Sequence, residues 1–313
     1  MSGPSSIVID LLEIGLRVRQ GGRVPEGIGP AFQGMIGRPL REAVCVVNPI
    51  PETCDGCAHL RDCAYGATFR DLLKDEGSPP GWRDAPRPLV AMPYFPLPEI
   101  LAAGDEVGVL IKQVRHGSSL ALDLLLRVIH ESGRARGLGG GPRPVLFEVV
   151  LPAHNLAAWK LTDGDLPKSA GPDQGRVPAI RITTRTPLII HERDRSPEPP
   201  EIGRLLGAAT RVVSRHFRAF AQPLGTDFPA LKRAAETVVD KRVLTHSVWS
   251  QIRSRSRVVQ GSKGRSFPLS GWMGEVVYEG VPCGLLPWLV WGGRLHVGRS
   301  RKDGFGAFDV ALE

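Results

Sequence analysis

Residues Gly292–Glu313 read GGRLHVGRSRKDGFGAFDVALE, and the rest of the chain is organised around them. Arg294 to Val297 predicts a short β-like piece. A loop with Gly298, Arg299, Arg301, Lys302, Gly304 and Gly306 follows, and Ala307 to Leu312 predicts a closing strand. Glycines let a backbone approach a bulky anion closely, and cations favour phosphate as that anion. GFGAF lacks the Lys-Ser/Thr step of a phosphate loop and precedes a strand instead of a helix, so no dinucleotide or nucleoside-triphosphate pattern fits. A polymeric phosphate is the better match.

Charge is distributed in the same sense. The 313 residues carry a net +8. Residues 177–313 hold 21 Lys/Arg against 12 Asp/Glu, and residues 1–176 hold 19 against 20. A basic half beside a neutral one implies a localised anionic partner, most simply nucleic acid, the bland alternative being a solubilising surface. At 42% hydrophobic residues the chain can bury a real core, and its length favours two domains. The opening MSGPSSIVIDLLEIG has no basic region ahead of an apolar core, so no signal peptide is expected. No apolar run approaches a membrane span. Five cysteines, four of them bunched, suit a reducing cytoplasm better than a disulfide scaffold.

Taken in order, Ser6 to Ile14 predicts a strand, and Gly27 to Val44 a helix with Phe32, Ile36, Leu40 and Val44 on one stripe. A Cys- and Pro-rich insertion spans 45–86. Leu89 to Phe95 and Glu106 to Val114 are strands, Ser118 caps a helix to about Ser132, and a glycine-rich segment from Gly133 to Gly141 leads into a strand from Val145 to Leu151. After a linker, the pattern repeats. Ala179 to His191 predicts a strand, Glu201 to Ala221 a long helix and Pro229 to Val239 a shorter one. Val243 to Arg257 contains a strand, Gly271 to Tyr278 is another, and Leu285 to Val290 is a short helix before the terminal stretch. The fold class is α+β: two tandem ferredoxin-like (RRM-like, βαββαβ) domains, with the Cys-rich insertion in the first and the glycine-rich loop closing the second. The domains are 1–152 and 177–313, joined by a linker at 153–176.

Three constellations could carry chemistry. Arg204, Arg211, Arg215 and Arg218 fall at steps of seven, four and three on the long helix and share one face. An all-Arg stripe suits phosphate through its forked donors, although a solvated face has the same pattern. In WSQIRSRSRVVQGSK, Arg253, Arg255 and Arg257 alternate, so in a strand they form one cationic ridge, continued by Lys263; a charge-protected edge is the alternative. Cys45, Cys54, Cys57 and Cys63 form C-x8-C-x2-C-x5-C, a candidate structural zinc knuckle, with reduced thiols or an iron-sulfur cluster as alternatives. His59 lies inside it, and Cys283 stands apart.

RNA can be cut without a metal ion if a base takes the 2'-hydroxyl proton, donors hold the phosphorane charge and an acid protonates the leaving oxygen. His296, at the base of the glycine loop beside Arg299 and Lys302, and His246, ahead of the cationic ridge, are the catalytic candidates. His216 leans to the apolar side of its helix and is expected to be structural. No HExxH and no spaced Asp/Glu set for two metals is found, so no catalytic metal is expected.

CDGCAHLRDCAYGATF, RPLVAMPY, RARGLGGGPRPVLFEVV, TRTPLII, SGWMGEVVYEG and LLPWLVWGGRLHVGRSRKDGFGAFDV together resemble the CRISPR pre-crRNA processing endoribonucleases of the RAMP superfamily. The terminal loop is similar to that family's glycine-rich loop, with Arg299 where a Lys is frequent and FGAF in place of a more glycine-rich ending. The resemblance implies tandem ferredoxin-like domains and metal-independent cleavage of CRISPR repeat RNA, leaving a 5'-hydroxyl and a 2',3'-cyclic or 3'-phosphate. It also implies retention of the guide RNA, association with other effector-complex subunits, and His296 as the site residue in the matching loop. The alternatives are a catalytically inactive RAMP subunit gripping guide RNA, and a zinc-knuckle protein binding unrelated RNA or DNA.

Overall fold

The computed structural model describes residues 6–25, 28–50, 54, 57–59, 63–69, 86–115, 121–139, 143–150, 157–168, 175–190, 198–238, 240–254, 266–299, 301 and 304–313. The architecture is mixed α+β, in two compact units. One comprises Met1–Asp163 with Arg215–Pro223, the other Gly164–Ser214 with Leu224–Glu313.

In the first unit, strand β1 (Ser6–Gln20) is longer than its sequence predicts. It is central to the sheet, with Ile7, Ile9, Leu12, Ile14 and Leu16 buried. The two-residue strand β2 (Gly22–Arg23), helix α1 (Ile28–Val44), the short α2 (Ala64–Phe69), β3 (Leu89–Pro93), β4 (Ile100–Leu101), β5 (Glu106–Val114), α3 (Leu122–Ala135), β6 (Leu146–Val150) and β7 (Ala157–Thr162) follow. Sheet order is β3-β5-β1-β6, all neighbours antiparallel, with β7 also on β1. Phe32, Ile36 and Leu40 of α1 are fully buried, as the four-residue stripe requires. Helix α3 runs past Ser132 to Ala135 and takes in Gly133, where a Cβ would lie 2.5 Å from the Phe147 ring, so a close approach overrides glycine's helix-breaking tendency. Its N-cap is Ala121; Ser118 lies outside the described residues. Strand β7 lies within the stretch read as linker.

The second unit contains β8 (Arg176–Thr184), α4 (Ile202–Phe220, whose last turns group with the first unit), α5 (Phe228–Ala235), β9 (Asp240–Ser254), β10 (Ser266–Pro282), α6 (Leu286–Arg294) and β11 (Phe308–Leu312). Its sheet order, β11-β8-β10-β9, places fourth, first, third and second strands, which is the order β6-β1-β5-β3 of the other unit once β2, β4 and β7 are set aside. Strand β8 stops at Thr184, short of the predicted His191, because the chain turns there to back the terminal loop. Strands β9 and β10 continue past β8 as a two-stranded ribbon, pairing Ser266 with Ser254 at its far end. Tyr278, fully buried, donates to the Pro200 carbonyl at 2.5 Å, and Lys241 reaches Glu201 at 2.7 Å; together they tie the entry to α4 onto the ribbon strands.

The β-like piece predicted at Arg294 to Val297 is instead the end of α6 and the start of a loop. Helix α6 continues through Gly292 and Gly293, where a Cβ would lie 2.4 Å from Ala209 Cβ and 2.2 Å from the Phe308 carbonyl oxygen. The two glycines permit that contact with α4 and β11, and burial of Trp288, Leu289 and Trp291 holds the helix.

Candidate nucleic-acid interface

The terminal loop is held by backbone bonds to the segment after β8. Val297 N–H donates to Gly306 O at 2.9 Å, Arg299 N–H to Ile189 O at 2.7 Å, and Gly306 N–H to Pro187 O at 3.0 Å. Thr186, itself buried, accepts from Ala307 N–H through Oγ1 at 2.9 Å. Leu188 exchanges two bonds with Trp272 of β10, so this segment is clamped between loop and ribbon.

The glycines serve the loop's own backbone contacts. Gly304 and Gly306 are buried. At Gly306, φ is +87° and a Cβ would fall 1.8 Å from Val297 O; at Gly298, φ is +81° and a Cβ would fall 2.2 Å from Ile189 O. They close the loop on itself and on its backing segment, leaving presentation of charge to Arg299, which is exposed, and Arg301, which is half-buried. Lys302 lies outside the described residues.

His296 is 2% exposed, with φ +64° and Nδ1 at 3.0 Å from Gly304 O and 3.3 Å from Phe305 O. A proton on Nδ1 is donated to those carbonyls, so the ring fastens the two ends of the loop. With that proton on Nδ1, Nε2 is the basic nitrogen of a ring that is buried in this structure. His246, on β9, is exposed and its Nδ1 accepts from Trp272 Nε1–H at 3.1 Å. A neutral imidazole held this way carries its proton on Nε2 as a donor. His216 is buried, as its helical position predicts.

Neighbouring charges pair among themselves. Arg185 bridges Asp309, and Arg181 bridges Glu313, whose hydrogen bond raises the guanidinium pKa. Arg294 lies over the Trp291 ring at 4.9 Å, and burial lowers its pKa against the opposing pull of Asp309. On α4, Arg204 and Arg211 are exposed; Arg215 is half-buried and Arg218 exposed on the turns that group with the first unit. Arg253 pairs through its backbone with Phe267, while its side chain, Arg255, Arg257 and Lys263 lie outside the described residues. All four clustered cysteines are half-buried and unbridged. Among the described residues, no three His, Cys, Asp or Glu side chains gather as a metal set. No helix among the described residues is long and apolar enough to cross a membrane.

Sequence reading missed the backing segment. TRTPLII carried one usable signal: Pro187 interrupts a run rich in β-branched residues where a strand must end.

A family model described as CRISPR-associated endoribonuclease Cas6 matches residues 182–308, and one described as an N-terminal domain matches residues 8–160. No curated protein matches the chain. Among solved structures, a partial Cas6-RT-Cas1–Cas2 complex is 12% identical at TM-score 0.52, over 100% of this chain and 47% of that one. A Cas6 product complex is 16% identical at TM-score 0.49, over 98% and 100%. Cas6 of Thermus thermophilus is 13% identical at TM-score 0.45, over 97% and 99%. At 12% identity the first of these shows a likeness of fold alone. This chain spans about half the length of the first of these three partners.

Proposed function

Because this chain belongs to the CRISPR pre-crRNA processing endoribonucleases of the RAMP superfamily, we propose that it cuts CRISPR repeat RNA by internal attack, without a metal ion, and keeps hold of the product. The observation that carries the reading is the Cas6 match over residues 182–308, which takes in both the terminal loop and the segment that backs it. Two tandem ferredoxin-like domains belong to the proposal, supported by the strand order repeated in the two units.

In this reaction the 2'-hydroxyl oxygen attacks the adjacent phosphorus and loses its proton to a base. The bond to the 5'-oxygen breaks, that oxygen takes a proton, and the products carry a 2',3'-cyclic phosphate and a 5'-hydroxyl. Arg299 and Arg301 hold phosphate charge on a loop that is already shaped before RNA arrives. His246 can protonate the leaving oxygen as an imidazolium, taking its second proton on Nδ1 and releasing the bond that Nδ1 accepts from Trp272 Nε1–H. His296 sets the loop, and it acts on the reaction by keeping those cations in place. Binding extends to Arg204, Arg211, Arg215 and Arg218 and to the ridge of Arg253, Arg255, Arg257 and Lys263, supported by the basic excess of residues 177–313. Zinc on the four cysteines rests on the C-x2-C spacing alone.

The test is cleavage of end-labelled repeat RNA in EDTA. Cutting is expected, with His246→Ala lowering kcat on an otherwise normally melting protein, and His296→Ala lowering both RNA affinity and melting temperature. Intact RNA despite tight binding would sink the enzyme reading and leave an RNA-gripping subunit.

A further inference from the structure

The second unit has a cleft of about 560 Å³ between α4 and α5, whose lining also includes Ile190, next to the Ile189 that accepts from Arg299 of the terminal loop. Its floor is apolar: Leu206 and Leu231 are buried, and Phe228 is 36% exposed. Its rim is cationic: Arg204, Arg211 and Lys232 are exposed, and among the described residues no Asp or Glu lines it. We propose that this cleft binds one unpaired nucleotide of an RNA strand, with the base on Phe228 and its flanking phosphates on Arg204, Arg211 and Lys232. The proposal deepens the RNA-processing reading and rests on it for the choice of strand.

Three features favour a nucleotide. Phe228 stands edge-on to Trp288, with ring centres 6.0 Å apart and planes at 68°, and Trp288 is in turn fixed by donation from Nε1 to Pro167 O at 3.1 Å. An aromatic ring held in that way is a rigid stacking platform, tolerant of any base. Arg211 is likewise oriented, its Nε donating to Gly207 O at 3.0 Å. Finally, the space exists because Gly203 and Gly207 have no side chains. A Cβ at either would meet nothing closer than 3.9 Å, so close packing does not demand a glycine there, unlike Gly292 or Gly306. Volume and an apolar floor with a few convergent polar groups are those of a small-ligand site. A protein segment would also cover the apolar floor, but three cations with no acid among the lining residues favour a polyanion.

The probe is a fluorescent uridine decamer, which contains only unpaired nucleotides and no repeat sequence, titrated by anisotropy at two salt concentrations with the full chain. Wild type is expected to bind it. Phe228→Leu keeps the apolar volume but removes the stacking face, and is expected to weaken binding about tenfold. Arg204→Ala with Lys232→Ala is expected to lower the salt slope by about 1.4, at about 0.7 per phosphate on a single strand. Gly207→Leu fills the cleft without a backbone clash; melting at or above wild type with binding lost supports the assignment. Unchanged affinity and slope in all three variants, or no binding by wild type, overturns it, and the first of these points to a protein segment as occupant. Cleavage of repeat RNA by wild type is scored separately: decamer binding lost in the variants while wild type cuts no repeat RNA would retain the cleft and reject the processing reaction.

Discussion

Replacing Gly306 by Ala places a methyl carbon 1.8 Å from Val297 O and 2.8 Å from Val297 C, where contacts under 3.0 Å are not tolerated. The loop must move by more than an ångström to relieve it. That shift breaks the 2.9 Å bond from Val297 N–H to Gly306 O or the 3.0 Å bond from Gly306 N–H to Pro187 O. A buried polar group left without its partner costs about 1–3 kcal/mol. The φ of +87° adds about 1–2 kcal/mol for a residue with a Cβ. A total near 3 kcal/mol corresponds to roughly a 10 °C fall in Tm for a unit of this size. Gly139→Ala is the control, because its φ is +97° but a Cβ there meets nothing within 4 Å, so only the backbone term applies. Melting by circular dichroism and RNA titration check both variants. Gly306→Ala is expected to melt well below Gly139→Ala and to bind repeat RNA about tenfold more weakly. Equal melting of the two, with wild-type RNA affinity, refutes the view that backbone closeness shapes the loop.

Three further outcomes follow from the packing. Thr186→Val keeps the volume of the side chain but leaves the Ala307 N–H without its acceptor, so a loss of about 1–3 kcal/mol and faster exchange of that amide are expected by hydrogen-exchange measurement. Burial pushes the Tyr278 phenol pKa up, with Glu201 adding to the effect. The raised folded pKa means that stability is fully present below the unfolded value of about 10 and declines as pH rises beyond it; Tyr278→Phe should flatten that alkaline decline in a denaturation series. Gly34 is exposed within α1 and a Cβ there meets nothing within 4 Å, so Gly34→Ala should stabilise the first unit by about 0.5–1 kcal/mol, read from the denaturation midpoint.

The sequence showed its helices and sheets where one periodicity ruled. Helix α4 spans Ile202–Phe220 against an expected Glu201 to Ala221, because its apolar and cationic positions separate cleanly at 3.6 residues per turn. It misled where close packing overrode propensity. The expected helix from Leu285 to Val290 stopped short of Gly292 and Gly293, yet their bare backbones let α6 pack against Ala209 and Phe308. In the site, the loop's position in the chain was legible, but the purpose of its glycines was not, since approach to a ligand and approach to Val297 O or Ile189 O demand the same residue. His296 was singled out for its company of cations; which way its ring points depends on Gly304 and Phe305 carbonyls that no spacing reveals. Of the cleft between α4 and α5, only Arg204 and Arg211 were legible, in the all-Arg stripe, because the rest of its lining comes from separate elements.

The ribbon formed by β9 and β10 has a mechanical consequence. Residues 266–274 of β10 extend beyond the last β8 pair, Glu275 with Thr183, which at about 3.3 Å per residue gives an arm of roughly 30 Å. At its root the register shifts between Glu275 and Val276, and Gly274 sits at φ +147° with its N–H on Thr184 Oγ1 at 2.8 Å. Two strands resist bending far less than a four-stranded sheet, so a force applied at the tip flexes the arm at this pivot. Trp272, on the arm just beyond the pivot, is bonded through its backbone to the segment that backs the terminal loop. A pull at the far end of the arm is thereby delivered as torque to the loop's support.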